Sequence, residues 1–315
     1  PIAKEIYADV ATPITLLRKI ALLDKQYYLL ESVEGGEKWG RYSFLGFQPM
    51  LQLLCKNGEV TLKSGAISTK IPGAPVEVLR NMQKEYKAPR IKGLPPFAGG
   101  FVGYFAYEMV KYAEPKLCLK ENSCHDFDLM LFDKVIAYDH LAQKICIIVN
   151  TRLSEEEQGY NAALLEIEKI THMIQDNTPL PKETQTEIPE FTCNISKEKY
   201  IEMVERTKQY IKEGDIFQGV ISRRFEADYK GNLLNAYRVL RTTNPSPYMY
   251  FIQSGDMQIA GASPETMVKL VDRKLTTFPV AGTRKRGRTE EEDRLLEKEL
   301  LQDEKELAEH NMLVD

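Results

Sequence analysis

Apolar positions in the first half of the chain come as short runs bounded by turn residues, the pattern of strands rather than of long helices. QYYLLESVE (26–34) reads as a strand ending at Gly35-Gly36, and YSFLGF (42–47) and MLQLLCK (50–56) read as two more. Lys56-Asn57-Gly58-Glu59 then has the composition of a hairpin turn leading into VTLKS (60–64). PFAGGFVGYFAYEM (96–109) reads as a strand whose glycines allow close backbone approach. DLMLFDKVIAYDH (128–140) and KICIIVNTR (144–152) read as a strand pair. The periodicity then changes to helical, from an N-cap at Ser154 through Leu164, Leu165, Ile167 and Ile170 to about Ile174.

DNTPLPKETQTEIPE (176–190) is polar and proline-bearing, the best linker candidate, and divides a region 1–175 from a region 191–315. Beyond it Ser196 caps a helix with Tyr200, Val204, Thr207 and Ile211 on one face, and Gly214 ends it. DIFQGVISRRFEA (215–227) reads as a strand with Ile216 and Gln218 pointing the same way. LLNAYRVLRTTN (233–244) reads as a helix stopped by Asn244-Pro245, with several short strands after it between 249 and 280. A long helix starts near Thr289 and runs to the last residue, Asp315. Strands and helices mixed in largely meander order predict an α+β fold.

Bulk composition removes several function classes. The 315 residues are 43% hydrophobic, an ordinary globular share, with a net charge of −4. No basic excess is present to hold nucleic acid or an anionic membrane, and no apolar run reaches membrane-spanning length. The opening PIAKEIYADV has charges where a signal peptide needs its apolar segment. Five cysteines, none in a C-x-x-C pair, argue against a zinc site or a disulfide framework and for reduced thiols. The expectation is a cytoplasmic protein that binds neither nucleic acid nor membrane. A chain that opens on Pro1 and stops in a helical pattern without a stop signal is expected to be a fragment.

Four segments offer chemistry. In the last helix Glu299, Asp303, Glu306 and His310 follow at steps of four, three and four, so they share a face, with Glu309 beside Glu306. Such a row is either a solvated acidic face or a place for a divalent cation, which takes hard oxygen ligands. In FPVAGTRKRG (278–287) Gly282 lets a ligand approach the backbone, and Thr283 offers a hydroxyl and an N–H to a carboxylate. RKRGR (284–288) is not read as a nucleic-acid patch, because EEED follows and cancels its field. Glu265 in GASPE is a turn acid, or a general acid if a pocket closes over it. LLES (29–32) and NPSPYM (244–249) set short polar groups and irregular backbone beside apolar side chains.

In order along the chain, LLES, RYSFLG, GGFVGY, GDIFQ with SRRF, NPSPYM, GASPE, PVAGTR and DEKELAEHNMLVD make a set that resembles the anthranilate synthase component I family of chorismate-utilising enzymes. The resemblance implies two packed antiparallel-rich β-sheets flanked by helices, incomplete at the C-terminus, with 191–315 the first part of the chorismate-binding domain. It implies addition of ammonia to chorismate at ring carbon 2, loss of the carbon-4 hydroxyl, and elimination of pyruvate to leave anthranilate. It places Gly282 and Thr283 on chorismate, Glu265 as the acid assisting hydroxyl departure, and Glu309 with Glu306 on Mg2+. It implies feedback inhibition by tryptophan through Glu31, Ser32, Pro247, Tyr248 and Met249, with Glu31 pairing with the ligand's amine. It implies a glutamine amidotransferase partner, anthranilate synthase component II, and puts a second magnesium glutamate, a histidine and a glycine-rich loop beyond Asp315. Gln218 stands where water-adding relatives carry a lysine base, and Ala281 where many aminodeoxychorismate synthases carry a lysine. Two other readings stay open: aminodeoxychorismate synthase component I, and a non-catalytic tryptophan-binding regulator.

Overall fold

A computed structural model describes residues 1–32, 40–119, 123–182 and 189–315. The chain falls into two compact units, residues 1–178 with 234–315, and residues 179–233. The division expected from sequence, 1–175 against 191–315, differs from this. After the second unit the chain returns, and its strands hydrogen-bond into the N-terminal sheet. The expected strand end at Gly35-Gly36 and part of the expected linker lie outside the described residues.

The first unit holds two antiparallel sheets. Strands β1 (Ile2–Tyr7), β2 (Gln26–Glu31), β3 (Tyr42–Phe47), β9 (Lys134–Asp139), β10 (Lys144–Val149), β13 (Tyr248–Ser254) and β14 (Met257–Ser263) form one, in the order β1-β10-β9-β3-β2-β13-β14. Strands β4 (Leu51–Lys56), β5 (Glu59–Ser64), β6 (Ile67–Ile71), β7 (Gly100–Phe105) and β8 (Phe127–Phe132) form the other, ordered β6-β5-β4-β8-β7. Asn57 and Gly58 take the positive φ values of 49° and 85° that the β4–β5 turn needs, as its composition predicts. DLMLFDKVIAYDH is not one strand but two: β8 and β9 belong to different sheets, with only Asp133 between them.

Apolar side chains from both sheets meet in a shared core of Tyr28 and Ile252 from the larger sheet and Val102, Met130 and Phe132 from the smaller side. The Tyr28 and Phe132 rings meet edge-on with centroids 4.8 Å apart. Gly103 is why β7 can lie so close to β8: a Cβ there would fall 1.9 Å from the Asp128 carbonyl oxygen.

Helix α1 (Pro13–Ile20), capped by Thr12, buries Leu16, Leu17 and Ile20, each worth about 1.5–3 kcal/mol on leaving water. Helix α2 (Pro75–Glu85) packs Val78 against the smaller sheet, and the short α3 (Val110–Ala113) brings Lys111 and Tyr112 to the buried Asp126. Helix α4 (Glu156–Gln175) packs on β10 and β1 through Ala163, Ile167, Ile170 and Ile174, spaced four, three and four apart. Leu164 and Leu165, expected on that face, are exposed instead.

In the second unit Ser196 caps α5 (Lys197–Glu213) through the Lys199 N–H at 3.2 Å, and Gly214 ends it at φ 83°, both as expected. The strand expected over 215–227 is not present at that length. Only β12 (Phe225–Glu226) forms, paired with β11 (Thr192–Cys193). The rest runs irregularly, with the Ile221 carbonyl accepting from Tyr200 and with Phe217 and Val220 exposed. Gln218 therefore sits on irregular backbone, where alternation does not define a face.

Helix α6 (Leu234–Thr243) ends before Asn244-Pro245, as its sequence predicts, and β15 (Lys269–Val271) and β16 (Lys274–Thr276) make a small hairpin. The expected single terminal helix is two: α7 (Glu290–Gln302) and α8 (Glu304–Val314). Asp303 breaks it, with extended backbone and a carboxylate that accepts from the Lys305 and Glu306 N–H groups. A side chain that satisfies the orphan donors of a new helix competes well with continuing the old one.

Candidate functional sites

The expected residues gather in two places. The first is a cleft of about 480 Å³ where β2 ends, β3 begins and the β13–β14 hairpin opens. Glu31, Ser32, Pro247, Tyr248 and Glu265 line it. Strand pairing explains how 31 and 248 meet: β13 lies against β2 with Met249 opposite Glu31, and β14 sets Ser263 opposite Tyr248, so that Glu265 follows just beyond. Met249 itself is buried beneath this wall and is 1% exposed. The Tyr248 hydroxyl is 2.5 Å from Thr266 Oγ1. Ser32 Oγ is buried and has no hydrogen-bond partner among the described residues, which leaves it available to a ligand.

Charges around this cleft are paired in a particular way. Glu31 is 6% exposed, and its carboxylate accepts from Tyr237 at 2.8 Å, from Arg241 Nη2 at 2.9 Å and from Ser43 Oγ at 3.2 Å. Ser43 Oγ also lies 2.8 Å from His140 Nε2, whose imidazole pKa burial lowers against the opposing pull of Glu31. Burial and the Glu31 charge together push the Tyr237 phenol upward, so it stays a donor. Arg41 lines the cleft over the Tyr42 ring and grips Asp139 with two nitrogens. Burial raises the Asp139 pKa, but the Arg41 contacts and two backbone N–H groups outweigh it and hold the carboxyl below its usual value.

The second place is the turn after β16 and the two terminal helices. A Cβ on Gly282 would lie 2.6 Å from Glu306 Oε2 and 2.8 Å from a Leu300 methyl, so the PVAGTR turn lies directly on the carboxylate-bearing side of α8. Arg284 reaches Asp303 at 2.7 Å, Glu299 at 3.2 Å and Glu306 at 3.4 Å. Three of the four residues expected on one continuous face thus converge, but on a guanidinium and across a helix break. Thr283 is exposed, and Glu309 is half-buried one turn after Glu306. Among the described residues no group of three or more His, Cys, Asp or Glu side chains is placed to hold a metal ion. Two carboxylates on α8 remain a fitting hard-oxygen donor pair, since Mg2+ keeps several waters and uses substrate oxygens as well. The basic run is neutralised locally: Arg286 pairs with Asp293 at 3.0 Å, and Gly287 N–H donates to Asp293.

Glu265, which the resemblance assigns to the same reaction as Gly282 and Thr283, lines the first cleft, and none of Gly282, Thr283, Glu306 and Glu309 lines that cleft. Sequence reading missed Arg241, Tyr237 and Ser43 around Glu31, and Arg284 on the acidic helices. The one available signal was the spacing of Tyr237 and Arg241, four apart on a helix that leads straight into NPSPYM. A second cleft of about 590 Å³, lined by Gln26, Gln52, His125, Asp128 and Ser254, contains none of the expected residues.

The family described as chorismate binding enzyme matches residues 25–315. This chain belongs to the chorismate binding enzymes. Among its relatives, anthranilate synthase component 1 of Acetivibrio thermocellus is 42% identical, the match covering 100% of this chain and 66% of that protein. The same-named protein of Aquifex aeolicus is 40% identical over 100% of this chain and 65% of its own length. The chain thus spans just under two thirds of the length of these relatives. In structure, anthranilate synthase component I from Streptococcus pneumoniae TIGR4 superposes with a TM-score of 0.75 at 30% identity, covering 100% of this chain and 68% of that one. The antiparallel sheets and flanking helices of this chorismate binding enzyme accord with the architecture the motif set implied. No helix among the described residues is long and apolar enough to cross a membrane.

Proposed function

We propose that this chain carries out, as part of its full-length protein, the anthranilate synthase reaction: chorismate and ammonia give anthranilate, pyruvate and water. The observation that carries this reading is the meeting of Gly282 with the Glu306 carboxylate, which sets the substrate-contacting turn against the acidic helix. In this reading Gly282 and Thr283 receive chorismate through an open backbone and a hydroxyl. Glu309 holds Mg2+, with Glu306 beside it as a ligand or as the partner Arg284 orients. When bound, the cation supplies Lewis acidity and a template for the substrate carboxylate. Glu265 is assigned the proton for the departing hydroxyl, a role that rests on its place in the GASPE motif.

The choice among related reactions rests on two side chains. Ala281 has no amine to act as a covalent nucleophile, as the aminodeoxychorismate route would use, and Gln218 cannot act as a base on water. Ammonia comes from a separate glutamine amidotransferase, anthranilate synthase component II. The five described cysteines are all free, in keeping with a reducing cytoplasm.

The cleft holding Ser32, Pro247 and Tyr248 is assigned to tryptophan as feedback inhibitor, supported by the buried Ser32 hydroxyl at its wall, which has no partner among the described residues. Full-length protein with chorismate, Mg2+ and an ammonium salt should develop anthranilate fluorescence that tryptophan suppresses. Aminodeoxychorismate as the product would replace the reading with the folate-directed one, and tryptophan binding without turnover would replace it with a regulator.

A further inference from the structure

Glu31 is expected to meet the ammonium of a bound amino acid, yet its carboxylate is already occupied. Two oxygens offer about four acceptor directions, and three are taken, by Tyr237 OH at 2.8 Å, Ser43 Oγ at 3.2 Å and Arg241 Nη2 at 2.9 Å. Arg241 Nε lies 2.7 Å from the second oxygen. Its N–H finds no acceptor in line among the described residues. The pair is therefore not the two-pronged fork that makes Arg–carboxylate contacts strong. Arg241 is also the most solvent-accessible of these partners, its side chain 27% exposed, whereas Tyr237 is fully buried and Ser43 is also held by His140. Of the three donors, the guanidinium can be released to water at least cost.

We propose that Arg241 is a built-in competitor for the effector's ammonium group: ligand entry transfers Glu31 from Arg241 to the ligand. The transfer has a mechanical consequence. Arg241 is on the last turn of α6, three residues before Asn244, and α6 runs directly into the turn carrying Pro247 and Tyr248. Breaking the Glu31–Arg241 contact frees the last turn of α6 from β2 while Tyr237, one turn earlier, still holds Glu31, so the empty and filled clefts differ in the anchoring of that helix end. A ligand shifts an equilibrium only through contacts that differ between two states, and this exchange is such a difference. The inference rests on the reading of the cleft as an amino-acid site.

The test compares tryptophan with 3-indolepropionate, which has the same ring and carboxylate but no ammonium, binding to the full-length protein by calorimetry. The readout is the ratio of the two Kd values, indolepropionate over tryptophan. In Arg241→Gln the buried Glu31 loses its cationic partner and the ligand's ammonium supplies it, so the ratio should rise about tenfold or more. In Glu31→Gln the ratio should fall towards one, and the double variant should match Glu31→Gln. Arg241→Lys, a point charge in place of the guanidinium, should give a smaller rise and serves if the glutamine variant does not fold. A ratio unchanged or lowered in both Arg241 variants overturns the competition, since a purely structural role would weaken both ligands alike. Failure of the unaltered protein to bind tryptophan at all would instead overturn the sensor reading beneath it.

Discussion

Gly282 and Glu306 are in direct register: the missing side chain of one is the space occupied by the carboxylate of the other. Twenty-four positions of sequence separate them, and a turn, a helix and the Asp303 break bring them together. Arg284 meets the other oxygen of the same carboxylate at 3.4 Å, which orients it while lowering the local negative charge.

Gly282→Ala tests that contact. The atoms a methyl would meet are the ends of the Glu306 and Leu300 side chains, which can turn aside, so stability should fall by less than about 1–3 kcal/mol, the usual range for overpacking. Activity of the full-length enzyme should fall more than stability does, with a raised Mg2+ requirement as Glu306 is displaced. Thermal melting beside a magnesium titration of the initial rate separates the two effects.

Gly103→Ala should behave differently. Here the added carbon meets the backbone carbonyl of Asp128 at 1.9 Å, in a paired strand that cannot turn aside. A loss of about 3 kcal/mol or more is expected, at the upper end of point-mutant effects. The urea midpoint should drop accordingly, and a drop within error would mean that β7 and β8 are not this close.

Ser32→Phe should weaken tryptophan binding by roughly tenfold or more, because an aromatic ring fills the cleft and removes a hydroxyl that has no partner among the described residues. Catalysis with ammonia in the full-length protein should persist. An unchanged inhibition constant would remove Ser32 from the effector site.

Lys111→Met probes the buried Asp126. Burial raises the Asp126 pKa, but hydrogen bonds from Lys111 and Tyr112 and the Lys111 charge overcome it, and the carboxyl sits below its usual 3.8. A lowered folded-state value means that this group stabilises the fold above pH 3.8 and that the contribution is lost as pH falls through the folded value. Without Lys111, burial is opposed only by the Tyr112 and backbone hydrogen bonds, so the Asp126 pKa should rise and the stabilisation it gives above pH 3.8 should shrink. At pH 7 the variant should lose about 3–5 kcal/mol, the cost of stranding a buried charge. Denaturation midpoints at pH 4 and pH 7 should show the smaller deficit at the lower pH.

Local signals were enough for the elements they concern. Asn57-Gly58 specified a hairpin because few residues accept two positive φ values in succession, and Ser196 and Gly214 bounded α5 because capping is a short-range interaction. The failures have one cause. DIFQGVISRRFEA has strand composition, but a strand needs a partner to receive its hydrogen bonds, and only Phe225 and Glu226 find one. Leu164 and Leu165 are apolar yet exposed, because which helical stripe is buried depends on where β1 and β10 lie.

The candidate sites divide the same way. The short polar groups of LLES, the irregular proline backbone of NPSPYM and the bare glycine of PVAGTR could be read from the sequence, since each is a property of the residue itself, whereas their assignment to an effector cleft and a substrate turn came from the family resemblance. What those residues face was decided only by tertiary structure. Glu31 has Arg241 as its counter-ion, Glu306 has Arg284, and Glu265 lies with Ser32 rather than with Thr283. Charge pairing between α6 and β2 or across the Asp303 break is set by tertiary packing and helix termination, and acts between residues up to 210 positions apart, far beyond any window in which sequence spacing carries information.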